Sequence, residues 1–396
     1  MMSETVEQEL PGLQSNDHES LIIDGTDVII GRKFVRVPLP GEPTTNSDKG
    51  TKGQSGEHSY IGDAIVLTLD GDKKVLAKEH PFILENKLSV TYGQINALAG
   101  DFYGTKNPIS DGADAKEQSI RFIEAYDTLA GKRFLQPTEA RTILRILQTE
   151  IDFVKKAVSD KEDPSVGLAL INWDHFGEDA RTAYNAGHGE ALKVAASGNL
   201  ERAYALNAFA DHFLEDSFSA GHLRTPRRGL YENKDLWRNG CAKYMHDEDN
   251  AIGLSVKNSR GESWNCYGDK RMLDKAGAKN LENCIAAVQA SADEIYTAYK
   301  TRTVLSPSSY NAWTIAPTLE SARDPSQELA PLFKYRDNTK HVDCRRDITN
   351  RREHDFASDW DPEDMLRRCE ESGWWKYPIT IDGPPRIIPE VSEWNA

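Results

Sequence analysis

Cysteine is sparse in this chain, and no two cysteines are spaced as CxxC. The five (Cys241, Cys266, Cys284, Cys344 and Cys369) are scattered and odd in number. That pattern implies neither a disulfide framework nor a thiolate zinc site, and the five read as free thiols. Cys266 and Cys284 are the two that an oxidising compartment would join. Long apolar runs are also missing. No segment reaches the ~18 consecutive apolar residues of a membrane span. The opening stretch MMSETVEQELPGLQSNDHES lacks a basic segment followed by an apolar one. No secretory signal is visible there, so a cytoplasmic or non-classically exported protein is expected. Basic residues are in deficit, 48 Lys and Arg against 63 Asp and Glu, for a formal charge of −15. Such a balance argues against duplex DNA as the main partner and suits a protein that attracts cations. A Gly-rich phosphate loop and a Ser-His-Asp elbow are absent as well.

What remains is a chain of 396 residues, 38% hydrophobic and 28% charged, enough to bury a real core. Residues 1–20 are acidic and polar and read as disordered. Residues 21–39 are rich in Ile and Val around Asp24-Gly25, which predicts a short hairpin. Residues 40–57 are Pro, Gly, Ser, Thr and Lys and read as a linker. Ile61–Leu69 is a second apolar stretch running into the turn Asp70-Gly71-Asp72. From Leu88 the spacing becomes helical. Helices are predicted at about 115–130, 137–158, 178–197, 199–220, 235–252 and 274–300. Prolines and a basic run at Arg345–Arg346 and Arg351–Arg352 mark the region after Ser306. The fold class expected is therefore all-α. It divides into an extension over 1–57, a helical domain over 58–305, and an irregular C-terminal extension over 306–396 packed on or beside it.

The most informative stretch is NAFADHFLEDSFSAGHLRTP, from Asn207 to Pro226. His212 and Asp216 are four apart and share a helix face. Imidazole with carboxylate suits zinc. His222, ten residues after His212, lies about 80° further round a continuous helix, and Gly221 is placed to end that helix. The surrounding Ala208, Phe209, Phe213, Leu214 and Phe218 make this a core helix. A buried His and Asp need partners, and a metal ion is the simplest one they can share. Further candidate ligands are Asp101, where a helix breaks, His175, just before the next helix, and His246. Asp249 and Asn250 share a helix face with His246. Carboxylate chemistry favours Asp249 as the ligand.

The spacing His212-x3-Asp216-x5-His222, set in this order after Asp101 and His175 and before His246, resembles the core motif of the zinc-dependent phospholipase C family. The resemblance covers roughly residues 58–300. The run GHLRTPRR resembles a bacterial and fungal subgroup of that family. It implies an all-helical bundle, two or three zinc ions, and cleavage of phosphatidylcholine-like lipids to diacylglycerol and a phosphorylated headgroup. It also implies one zinc on Asp101, His175, His212 and Asp216, and a second on His222, His246 and a carboxylate near Asp249. Asp216 would bridge to a third. That third site in the family uses a free N-terminal Trp, which this chain lacks. His58, helped by Asp63, stands in its place. Asn250 stands where the family has Glu. Asp101 is expected as ligand, as catalytic base, or as both.

Phe102 and Tyr103 read either as core aromatics or as a cation–π face for a choline headgroup. Arg224 reads either as a solvated helix-end charge or as a phosphate clamp. His188 is expected to be structural or on the surface. The phospholipid would be met by transient contact with a membrane surface. Two rival functions remain. One is a single-strand-specific zinc nuclease, which the missing Trp disfavours. The other is a non-catalytic helical protein that binds metal or lipid.

Overall fold

A computed structural model describes residues 21–23, 26–28, 54–100, 102–131, 140–141, 143–144, 171–231, 236–268, 271–273, 276–336 and 341–372, with side chains from Glu57 onward except at 236, 370 and 372. Among these residues the chain is mostly helical, and its sheets are small. The helices that build the body are α1 (Gln54–Asp63), α2 (Tyr92–Leu98), α3 (Ala115–Ala130), α4 (Gly177–Ala196), α5 (Leu200–Asp216), α6 (Ala220–Arg224), α7 (Arg227–Leu230), α8 (Leu236–Ile252) and α9 (Ala278–Thr301).

Helix α5 is the axis of the molecule. Every residue from Ala203 through Asp216 is buried, so this helix is covered on all sides by its neighbours. Its start is fixed by Asn199, whose side chain accepts from the Arg202 backbone N–H. On one flank Phe209 meets the edges of Phe122 and Tyr126 from α3, at 5.7 and 5.8 Å between ring centroids. Deeper in, a polar network replaces apolar contact. Asp211 accepts from Tyr92 (2.6 Å), Ser291 (2.7 Å) and Asn207 (3.2 Å). His188, fully buried, faces Asn207 Oδ1 at 2.6 Å and Glu294 Oε2 at 3.0 Å. Each member has partners, so the cost of burying it is met.

Helices α1 and α2 pack against each other closely enough to require glycine. A Cβ on Gly93 would stand 2.0 Å from the Ser59 carbonyl oxygen. Asp63 reinforces the contact by accepting from Thr91 Oγ1 (3.1 Å) and the Gly93 N–H (3.0 Å). This contact overrides the linker expected up to residue 57, because α1 already begins at Gln54. It also divides the stretch Ile61–Leu69. The first part ends α1, and Val66–Leu69 becomes a strand paired with Lys73–Leu76 across Asp70-Gly71-Asp72. The pair expected at 21–39 is present as Leu21–Ile23 against Thr26–Val28. Most of the helix expected at 137–158 lies outside the described residues.

The span after residue 305 joins the body through two cores. Tyr310, Ala312, Ile315, Ala322 and Leu329 belong to the main hydrophobic cluster. Leu332, Phe333, Val342, Cys344, Met365 and Leu366 form a second cluster with Leu230, Cys241 and Met245 of α7 and α8. A buried ion pair crosses the same contact, with Arg345 Nη2 3.0 Å from Glu248 Oε1. All five cysteines are buried and unbridged.

Candidate metal centre

The one long helix expected over 199–220 is broken, and the break shapes the site. Helix α5 stops at Asp216. The next N–H groups turn inward, Phe218 bonding to the Glu215 carbonyl (2.8 Å) and Ser219 to that of Asp216 (3.0 Å). Ser219 is extended, and α6 restarts at Ala220. An uninterrupted helix would carry His222 past the face of Asp216. The turn brings it back, with Nδ1 3.5 Å from Asp216 Oδ1.

Asp216 is the centre of the cluster, only 1% exposed. Its Oδ2 is 2.8 Å from His175 Nδ1 and 3.6 Å from His212 Nε2. Its Oδ1 is 3.6 Å from His58 Nε2. His58 comes from α1, His175 from the turn Trp173–His175 before α4, His212 from α5 and His222 from α6. Four elements thus converge on one carboxylate. Among the described residues, His58, His212 and Asp216 form a buried His/His/Asp group, with ligand atoms within 4.8 Å of one another, that is able to hold a metal ion.

The outer edges of the rings test that fit. His212 Nδ1 lies 2.9 Å from the Asn96 carbonyl oxygen, and His222 Nδ1 lies 2.9 Å from that of His175. A carbonyl only accepts, so in each ring Nδ1 carries the proton and Nε2 keeps its lone pair. This is the outer-sphere pattern of metal-bound histidine. Burial holds the His212 imidazole well below its usual value, and the nearby His58 and His175 push the same way. A neutral ring is the form that ligates. Glu215 Oε2 is 2.6 Å from His58 Nδ1. Burial pushes the Glu215 carboxyl up to about 8, while the bond to His58 acts against it. A cation on His58 Nε2 would require the proton on Nδ1 and make Glu215 the acceptor.

The other expected residues are placed differently. Asp101 lies outside the described residues. His246 is 4.9 Å from His222 between ring centroids, so it stands at the far end of the histidine group. Asp249 is not turned toward it. Arg224 holds Asp249 through Nε to Oδ2 (2.9 Å) and Nη2 to Oδ1 (2.5 Å), and gives Nη1 to the Leu329 carbonyl (2.7 Å). The arginine and the carboxylate are committed to each other in the interior, which leaves Arg224 no role as a phosphate clamp and Asp249 none as a ligand. Asn250 is oriented by Ser219 and Gly221. Phe102 and Tyr103 are 7% and 5% exposed within the main core, so they present no open choline face. Tyr103 does line a cavity of about 40 Å³ beside His175, together with Asn172 and Asp174. Asp63 is tied to α2 and not to His58.

Three contributors escaped the sequence reading. Glu215 and Asn96 supply acceptors behind His58 and His212, and nothing in their spacing signals it. Gly100 lies against two of the histidines. At φ +70°, a Cβ there would sit 2.4 Å from His175 Cε1 and 3.0 Å from His212 Cδ2. The Ala99-Gly100-Asp101 break carried that signal, but only the Asp was read from it. Comparison with protein-family models, curated proteins and solved structures returns no match.

Proposed function

We propose that the chain is a metal-dependent phosphodiester hydrolase of the zinc phospholipase C type, acting on phosphatidylcholine-like lipids. The observation that supports it is the convergence of His58, His175 and His212 on the buried Asp216 carboxylate, with His222 beside them and its Nδ1 turned to the His175 carbonyl. An imidazole and carboxylate donor set suits zinc. The ordered motif from Asp101 to His246 supports a phospholipid as substrate and two or three ions. Zinc, when bound, neutralises charge on phosphoryl oxygens and lowers the pKa of water. The chain's own part is to hold the rings at fixed tautomers, to keep the cluster out of bulk solvent, and to leave a small cavity beside His175. Asp101 is the carboxylate this reading assigns to taking the proton of the attacking water. Gly100, which precedes it, already touches His175 and His212. No described helix is long and apolar enough to cross a membrane, and the lipid would be reached at the bilayer surface.

The test is turnover by the zinc-loaded chain on phosphatidylcholine vesicles and, in parallel, on single-stranded DNA. The expected result is release of diacylglycerol, lost together with bound zinc in His212→Ala. Cleavage of DNA alone would make the protein a nuclease. Tightly bound zinc with neither turnover would make it a non-catalytic metal protein.

A further inference from the structure

Asn250 sits one helical turn after His246 on α8. Its Oδ1 accepts the Gly221 backbone N–H at 2.6 Å and the Ser219 hydroxyl at 2.9 Å. A backbone N–H only donates, so this contact fixes which end of the amide is oxygen. The NH2 end then faces His246 Nε2 at 3.1 Å. The other ring nitrogen, Nδ1, is 3.0 Å from Asp247 Oδ1. With the Asn250 NH2 donating to Nε2, the proton of a neutral ring sits on Nδ1, where the Asp247 carboxylate accepts it. Nδ1 of His246 therefore carries the proton, and its Nε2 lone pair receives an N–H from Asn250.

We infer that Asn250 is an amide cap on His246, which makes the His222–His246 end of the cluster a weak, exchangeable metal position and leaves tight binding to the set around Asp216. This rests on the metal-binding reading given above. To receive a cation at His246 Nε2, the amide must turn its NH2 away and surrender the bonds to Gly221 and Ser219. Even then it offers a neutral oxygen, a poorer zinc ligand than a carboxylate. The carboxylate next to it cannot substitute, because both oxygens of Asp249 are held by Arg224. At the Asp216 end the group facing His212 Nε2 is His175 Nδ1 at 3.0 Å, which, unlike an amide NH2, can give up its proton and bind the ion itself. The two ends would load at different metal concentrations, and the protein as isolated would hold the Asp216 set filled and the His246 position in exchange with the medium.

Asn250→Asp tests this directly, because it keeps the oxygen that Gly221 and Ser219 bind and replaces only the NH2. A carboxylate oxygen would then stand about 3 Å from His246 Nε2, close to the roughly 3.3 Å between neighbouring ligands on a tetrahedral zinc. The full chain is dialysed against metal-free buffer, its zinc counted, and zinc then titrated against a chromophoric chelator. Asn250→Asp should retain one more tightly held zinc than the wild type, with at least tenfold higher affinity for that equivalent. His246→Ala should retain the wild-type number, and the double variant should return to it. Nitrogen-15 NMR gives a readout that needs no variant: at the tightly bound stoichiometry the His212 Nε2 resonance should shift and that of His246 should not. Loss of a tightly held zinc in His246→Ala, equal counts and affinities in Asn250→Asp and wild type, or an early shift of His246 Nε2 would each overturn the inference. A wild type that holds no zinc at all would instead overturn the metal-binding reading itself.

Discussion

Glu215 Oε2 lies 2.6 Å from His58 Nδ1, although 157 residues of chain separate them. The bond ties the first helix of the body to the central one at the residue beside Asp216. It also decides which face of His58 is offered to the cluster, since Nε2 is the edge turned toward Asp216.

Replacing Glu215 by Gln should therefore weaken zinc binding without removing a ligand. Loss of a partner behind a metal-bound histidine typically costs ~10–100-fold in affinity. A fall of about tenfold is expected in a chelator competition, with Glu215→Asp recovering part of it. Unchanged affinity in Glu215→Gln would mean that His58 takes no part in holding the ion.

The pH dependence of the metal-free chain should carry the signature of His212. Its folded-state pKa is depressed by burial and by His58 and His175. The unfolded chain takes up a proton at the ordinary value near 6.5, while the folded one resists it. The contribution of this group to stability is thus present above about 6.5 and lost as pH falls below it, by at most ~1.4 kcal/mol per pH unit. Urea unfolding after chelation, at pH 7.5, 6.5 and 5.5, should show that decline, and His212→Asn should flatten it. Equal slopes in the two proteins would assign the acid sensitivity to other groups.

Arg345 offers a test of the C-terminal packing. It is fully buried and bonded to Glu248, which also receives Arg351 Nε at 3.1 Å. Removing one member of a buried pair costs about 3–5 kcal/mol because the other is left uncompensated. Arg345→Met should lose on that order in denaturant unfolding, and pairing it with Glu248→Gln should restore most of the loss. If residues 306–372 were a loosely attached extension, the single variant would leave the main unfolding transition where it was.

The sequence by itself determined the helical character, the positions within a few residues of the long helices that fall in the described residues, and the identity of the imidazoles and the carboxylate that gather in the interior. These properties are local. A 3.6-residue apolar period marks a buried helix face wherever the chain later goes, and a His with an Asp one turn away on an apolar helix must find a partner. The tertiary structure decided how those groups are used. Whether Asp249 faces His246 or an arginine depends on Arg224, brought from a different helix, and on the Leu329 carbonyl. Which end of Asn250 meets His246 depends on one backbone N–H at Gly221. The partners behind His58 and His212, Glu215 and the Asn96 carbonyl, are chosen by the close packing of α1 and α2 onto α5. Hydrogen bonds and ligand geometry reach about 3 Å, so they are fixed only when packing brings distant segments into register, and helical spacing records no trace of that.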